Sequence, residues 1–169
     1  PRAGLANDYR DGPLGLALKT SPAARGLTVR ATVLDGARSL LTRSAKVAGG
    51  EVALNGTIPG VRPWTAETPD LYTLLVELVD HKGNTVQATA RRIGFRTVAM
   101  KDGLVTVNGK PITIRGVNRH EHDPEHFHVI SEQSMRRDIE LMKRNNVNAL
   151  RTSHYPNDER LYDLADEYG

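Results

Sequence analysis

The sequence predicts a mainly β protein: an immunoglobulin-like β-sandwich followed by a β-α-β-α segment of the kind that begins an α/β barrel or an open sheet. The first observation is a series of short apolar-alternating segments, separated by turn residues, from about Leu14 to Val98, with no helical period among them. The second is a change of pattern after Val98, where apolar residues recur at helical spacing between two short apolar runs. The crossovers between those runs are long enough to make their strands parallel.

Within the first part, Leu14, Leu16 and Leu18 alternate, as do Leu27, Val29, Ala31 and Val33, then Val52 and Leu54, then Tyr72, Leu74, Val76 and Leu78. Each set supplies one buried face of a strand. Tyr72 to Asp80, the turn His81-Lys82-Gly83-Asn84 and Thr85 to Ile93 read as a hairpin, because Gly and Asn tolerate the positive φ of a tight turn. Roughly seven such segments suit a sandwich. The only tryptophan, Trp64, is expected to plug a core rather than to form a sugar platform.

Leu104 to Val107, Asn108-Gly109 and Lys110 to Ile114 form a second hairpin, whose Asn-Gly pair is a strong turn signal. Ile112 to Val117 continues as a strand, and a loop from Asn118 to Ile130 carries His120, His122, His126 and His128. Ser131 is positioned to cap a helix in which Met135, Ile139 and Met142 share one face and which Asn145-Asn146 ends. Val147 to Leu150 is a short buried strand. Asn157 or Asp158 caps the last helix, lined by Leu161, Leu164, Ala165 and Tyr168, with Gly169 as its C′ residue.

A chain of 169 residues with 38% hydrophobic content can bury one core and part of a second. Its net charge of +3, spread without a basic cluster, argues against nucleic acid as a partner. No apolar run approaches a membrane span, so no membrane association is expected. The absence of cysteine excludes disulfides and thiolate metal sites and fits a reducing compartment, taken here as cytoplasmic.

The candidate functional residues are His120, Arg151 and His154. His120 and His154 each follow a predicted strand by a few residues and Arg151 closes one, so all three should meet at the C-terminal rim of parallel strands. Such a trio can donate hydrogen bonds to sugar hydroxyls or to a carboxylate, which makes a rim for a polar or anionic group. The histidine loop is read as a surface loop rather than a zinc site, since it is long and polar and no four locked ligands are evident. Glycoside hydrolysis needs two facing carboxylates, and Glu121, Asp123, Glu125, Asp158 and Glu159 offer no persuasive pair. Asp158 and Glu159 fit a helix N-terminus, and Glu121 fits an orienting role.

These residues carry a resemblance. Asn108 to Pro111, the run IRGVNRHEHDP from Ile114 to Pro124, Met135 to Asn157 with its RTSHYP motif, and LYDLADEYG from Leu161 to Gly169 resemble glycoside hydrolase family 2, within it the β-galactosidases. Pro63 to Tyr72 and Ile93 to Arg96 resemble the end of that family's immunoglobulin-like domain. The resemblance implies a sandwich domain over residues 1–98 and, over 99–169, the first two β/α units of an incomplete (β/α)8 barrel. It implies a retaining β-galactosidase acting on terminal β-D-galactosyl residues, with the two catalytic glutamates beyond this chain, which is expected to be inactive alone. His120 and His154 would contact galactosyl hydroxyls and stabilise the oxocarbenium-like transition state, and Arg151 would position the nucleophile's carboxylate. The parent's magnesium and sodium ligands would lie on other segments, so no metal is assigned to Glu121 or His122. The alternatives are a β-glucuronidase-type member and a free-standing sandwich that binds or spaces carbohydrate. Apolar faces meant for absent barrel neighbours are expected, beyond about Lys101, to be disordered, to pack on the sandwich or to drive self-association by swapping.

Overall fold

The computed structural model describes residues 1–169, which separate into two compact units. The first comprises Pro1–Pro63 and Asp70–Thr97, the second Trp64–Pro69 and Val98–Gly169. The fold is mainly β: an immunoglobulin-like sandwich, followed by two β/α units whose small sheet is not closed.

In the first unit the strands are β1 (Arg2–Ala3), β2 (Gly12–Lys19), β3 (Thr28–Asp35), β4 (Arg38–Lys46), β5 (Glu51–Ile58), β6 (Tyr72–Val79) and β7 (Thr85–Ile93). They form two antiparallel sheets, ordered β1-β2-β5 and β4-β3-β6-β7. The alternation seen in sequence is the alternation of burial: Leu14 and Leu16 of β2, Val29, Ala31 and Val33 of β3, and Val52 and Leu54 of β5 meet in one core. Each Leu or Val among them, withdrawn from water, contributes roughly 1.5–3 kcal/mol. Phe95, fully buried, packs edge-on against Tyr72 with ring centroids 5.6 Å apart. Gly12 makes that close packing possible, since a Cβ there would lie 2.7 Å from the Phe95 ring. Strand β4 lacks a clean apolar alternation and β7 is exposed at all but its last residue, as befits the two edges of the larger sheet.

A charged hub closes one end of this core. Arg62 donates from Nη1 and Nη2 to the two Asp35 carboxylate oxygens at 2.8 and 2.9 Å and from Nε to Asp70 at 2.7 Å. Its backbone N–H donates to the Tyr72 hydroxyl oxygen at 2.7 Å.

The second unit begins with a three-stranded antiparallel sheet of β8 (Val98–Lys101), β9 (Leu104–Val107) and β10 (Lys110–Pro111). Asn108 and Gly109, at φ +51° and +75°, make the expected turn. Then come β11 (Gly116–Arg119), α1 (Glu132–Arg144), β12 (Ala149–Thr152) and α2 (Glu159–Tyr168), with β11 and β12 parallel. Ser131 caps α1 by accepting from the Ser134 N–H, and Asp158 caps α2 by accepting from that of Arg160. Met135 and Ile139 of α1 pack on Leu161 and Leu164 of α2, with Leu150 of β12 beneath them. Trp64 is buried, as expected, but in this unit: its indole N–H donates to the Asp166 carbonyl at 2.8 Å.

Both parallel strands lie further along than the sequence pattern suggested: β11 starts four residues later and ends two later, at 116–119 rather than 112–117, and β12 is displaced by two, at 149–152 rather than 147–150. The Asn148 side chain explains the shift: it accepts from the Arg115 N–H and donates to the Thr113 carbonyl, at 2.8 and 2.9 Å. Asn148 thus holds residues 113–115 with its side chain and with its N–H, which donates to the Arg115 carbonyl at 2.9 Å, and the paired strands run from Gly116 opposite Ala149.

Candidate functional site

The parallel register pairs Asn118 with Arg151 and Arg119 with Thr152, so the residues that follow β11 and β12 emerge side by side. His120 directly follows β11, Arg151 lies within β12 rather than closing it, and His154 comes two residues after its end. The structure brings the three together. The His120 and His154 rings are 6.1 Å apart and nearly perpendicular, at 81°. Arg151 Nη2 lies 3.0 Å from His154 Nδ1, while Nη1 donates to Ser153 Oγ at 3.3 Å and Asn118 Oδ1 at 3.5 Å. All three side chains of the trio are exposed and available to a ligand.

Beneath them is a set of residues whose importance the sequence does not advertise. Arg119 is buried, its guanidinium donating from Nε to Asp138 of α1 at 2.9 Å and from Nη1 toward Glu121 and Asn157 at 3.4 and 3.5 Å. The Glu121 carboxylate also accepts the Asp158 N–H at the start of α2, 3.2 Å from each oxygen. A carboxylate there is favoured by the partial positive charge of the helix terminus. Glu121 is thus held from both sides, by the Arg119 guanidinium and the Asp158 N–H. Tyr155 completes the arrangement: its hydroxyl oxygen accepts from the Glu121 N–H at 2.8 Å, and its ring lies 6.2 Å from that of His120. The only signal for Arg119 and Tyr155 was adjacency, each standing next to one of the two histidines in the motif.

The remaining histidines disperse. His128 Nδ1 lies 2.7 Å from the Glu121 carbonyl, and its ring is 6.0 Å from that of His122. His126 is on Asp123, whose carboxylate accepts the N–H groups of Glu125 and His126 in a tight turn. Those backbone bonds, His126 first, hold the Asp123 carboxyl below its ordinary value. No group of three or more His, Asp or Glu side chains could hold a metal ion. A concavity of about 890 Å³ is lined by Pro1–Gly4, Pro13–Gly15 and Asn55–Thr57 of the sandwich and includes none of the trio. No helix is long and apolar enough to cross a membrane.

A β-sandwich joined to a β/α segment, with two imidazoles and a guanidinium at the C-terminal ends of parallel strands, places the trio where barrel proteins keep their sites. Residues 5–96 match the family profile for glycosyl hydrolases family 2, and residues 98–169 match the TIM barrel domain of the same family. The chain belongs to glycosyl hydrolase family 2. It is 43% identical over 157 residues to the beta-galactosidase BgaC of Bifidobacterium adolescentis, covering 92% of this chain and 15% of that protein. It is 44% identical over 172 residues to a beta-galactosidase of Photobacterium profundum, covering 95% and 17%. Among solved structures it resembles the beta-glucuronidase of Parabacteroides merdae, with a TM-score of 0.89 and 28% identity over 99% of this chain and 22% of that one. The chain thus spans about a sixth of the length of these two curated relatives.

Proposed function

We propose that residues 1–169 form part of a retaining β-galactosidase that hydrolyses terminal, non-reducing β-D-galactosyl residues, with 1–98 its sandwich domain and 99–169 the start of its catalytic barrel. The observation that carries this reading is the convergence of His120, Arg151 and His154. Imidazole and guanidinium N–H groups fixed on strand ends suit hydroxyl oxygens of a sugar, and they can hold the ring in the distorted geometry it takes towards the oxocarbenium-like transition state. Arg151 would also hold the nucleophile's carboxylate. These residues supply binding and not bond cleavage, because Glu121, the carboxylate next to His120 in sequence, is already committed to Arg119 and the Asp158 N–H. The higher identity to the two beta-galactosidases than to the beta-glucuronidase supports a galactoside.

The test is kinetic, in the full polypeptide that carries this segment. His120→Ala and His154→Ala are each expected to lower kcat on a β-galactoside about a hundredfold, the usual cost of losing one transition-state donor. Unchanged rates would refute the reading. The backbone likeness to a beta-glucuronidase favours one second reading, a β-glucuronide substrate, and faster turnover of a β-glucuronide by the unmodified enzyme would establish it. The exposure of Ile112, Ile114 and Val117 supports self-association of the isolated 169-residue chain, which light scattering would register as mass above the monomer.

A further inference from the structure

We propose that Arg151 sets the tautomer of His154, so that this ring meets its ligand as an Nε2–H donor. The inference rests on the reading of the trio as a sugar-binding rim and adds the direction of its hydrogen bonds. A guanidinium has five N–H donors and no acceptor. The 3.0 Å contact between Arg151 Nη2 and His154 Nδ1 is therefore a hydrogen bond only if Nδ1 offers its lone pair. The neutral ring's one hydrogen then sits on Nε2.

The guanidinium is fixed well enough to impose this. Its Nη1 is bonded to Asn118, the residue opposite Arg151 in the parallel pair, and to Ser153, which is 1% exposed. The Arg151–His154 pair consequently presents hydrogens only: Nε2–H of the ring and the guanidinium N–H groups left over from those bonds. It selects an oxygen lone pair, so a sugar hydroxyl in this position must accept here and donate its own proton elsewhere. A ligand group that can only donate is refused, since it would leave these donors unpaired.

The experiment is 15N NMR of the histidine-labelled full polypeptide without sugar, with His154 assigned by its loss in H154Q. A spectrum with the hydrogen on Nε2 and an accepting Nδ1 is expected; an Nδ1–H or doubly protonated ring would overturn the proposal. Arg151→Met, which cannot donate, should release His154 to a mixture of tautomers, and Arg151→Lys should restore the single form in part. Should neither variant fold, neutron diffraction from unmodified crystals reads the same hydrogen. On a β-galactoside, His154→Gln, whose amide nitrogen can stand where Nε2 does, should retain about tenfold more kcat/KM than His154→Asn. Equal loss in both would overturn the donor role. An Nε2–H ring in a protein whose galactoside kinetics ignore both substitutions would leave the tautomer standing and remove the galactosidase reading.

Discussion

The two units bury different things. The sandwich core is apolar throughout, whereas all four buried polar or charged residues, Thr106, Arg119, Ser153 and Asn157, belong to the second unit. Arg119, Ser153 and Asn157 lie at the loops that carry His120 and His154. The exposed large apolar side chains are divided the same way, with only Tyr9 and Val86 in the sandwich and the rest in the second unit. Burying polar groups costs free energy unless they are bonded, so a fold accepts that cost where geometry matters more than stability. The sandwich core is thus held by apolar packing, while the second unit carries its buried polar groups next to His120, Arg151 and His154, and its exposed apolar faces are those of a sheet that is not closed.

The largest expected effect tests the scaffold half of this contrast. Phe95→Ala removes a fully buried ring that packs on Tyr72 and should destabilise the sandwich by about 4 kcal/mol in denaturant unfolding. A loss below about 1 kcal/mol, the range of surface substitutions, would show that this core is not what holds the unit together.

Next comes the polar heart of the second unit. Arg119→Met keeps the volume but strands Glu121 without its buried cation, at an expected cost of about 3 kcal/mol. The Asp138 partner is 43% exposed and can turn to water, which places the cost at the low end of the range for broken buried pairs. Hydrogen exchange should quicken along β11 and the start of α2. If Arg119→Met were neutral, the buried guanidinium would be incidental and the two units would differ less than their burial suggests.

That asymmetry also explains what could be read before any coordinates. Alternation at Leu14–Leu18 and Val29–Val33, the Asn108-Gly109 turn, and the caps Ser131 and Asp158 are local signals, each produced by a residue and its near neighbours. They were legible for that reason, as were His120, Arg151 and His154, whose convergence follows from the parallel pairing. Arg119 was not legible, because a charged residue at a strand end looks like solvent-facing surface until Asp138, 19 positions away, is seen beside it. Trp64 was recognisable as buried, but hydrophobicity reports burial without naming the partner, which proved to be α2. The later start of β11 escaped because the Asn148 side chain bonds residues 113 and 115, and periodicity carries no record of that.

A smaller effect probes the loop itself. Tyr155→Phe removes the oxygen that accepts the Glu121 N–H and should cost about 1 kcal/mol, since Tyr155 is partly exposed and water can replace it. Its catalytic consequence in the full polypeptide should exceed its effect on stability, because the ring flanks His120. A variant with lowered stability and normal kcat would place Tyr155 with the scaffold instead.

The smallest effect concerns acid. In the sandwich, the hydrogen bonds from Arg62 hold the Asp35 carboxyl below its ordinary value, and those from Arg30 and then Thr85 do the same for Glu77. A carboxylate whose folded value is depressed binds protons less readily than the same group unfolded. Its stabilisation is therefore complete above the unfolded value, about pH 4 for such groups, and is lost as pH falls through the folded one. The second unit follows the same sign through Asp123 and Glu132, the latter lowered by Arg160 and then Arg136. Both units should accordingly unfold more easily below about pH 4 by only a modest margin, since these pairs face solvent and are screened. Salt supplies the discriminating measurement. Raising ionic strength should weaken the surface pairs in both units, yet leave the Arg119–Glu121 contact, with side chains 5% and 14% exposed, nearly untouched. Equal salt sensitivity of Arg62→Met and Arg119→Met would mean that the second unit's buried charge is as well hydrated as the sandwich's surface hub, and the contrast between scaffold and site would have to be drawn on packing alone.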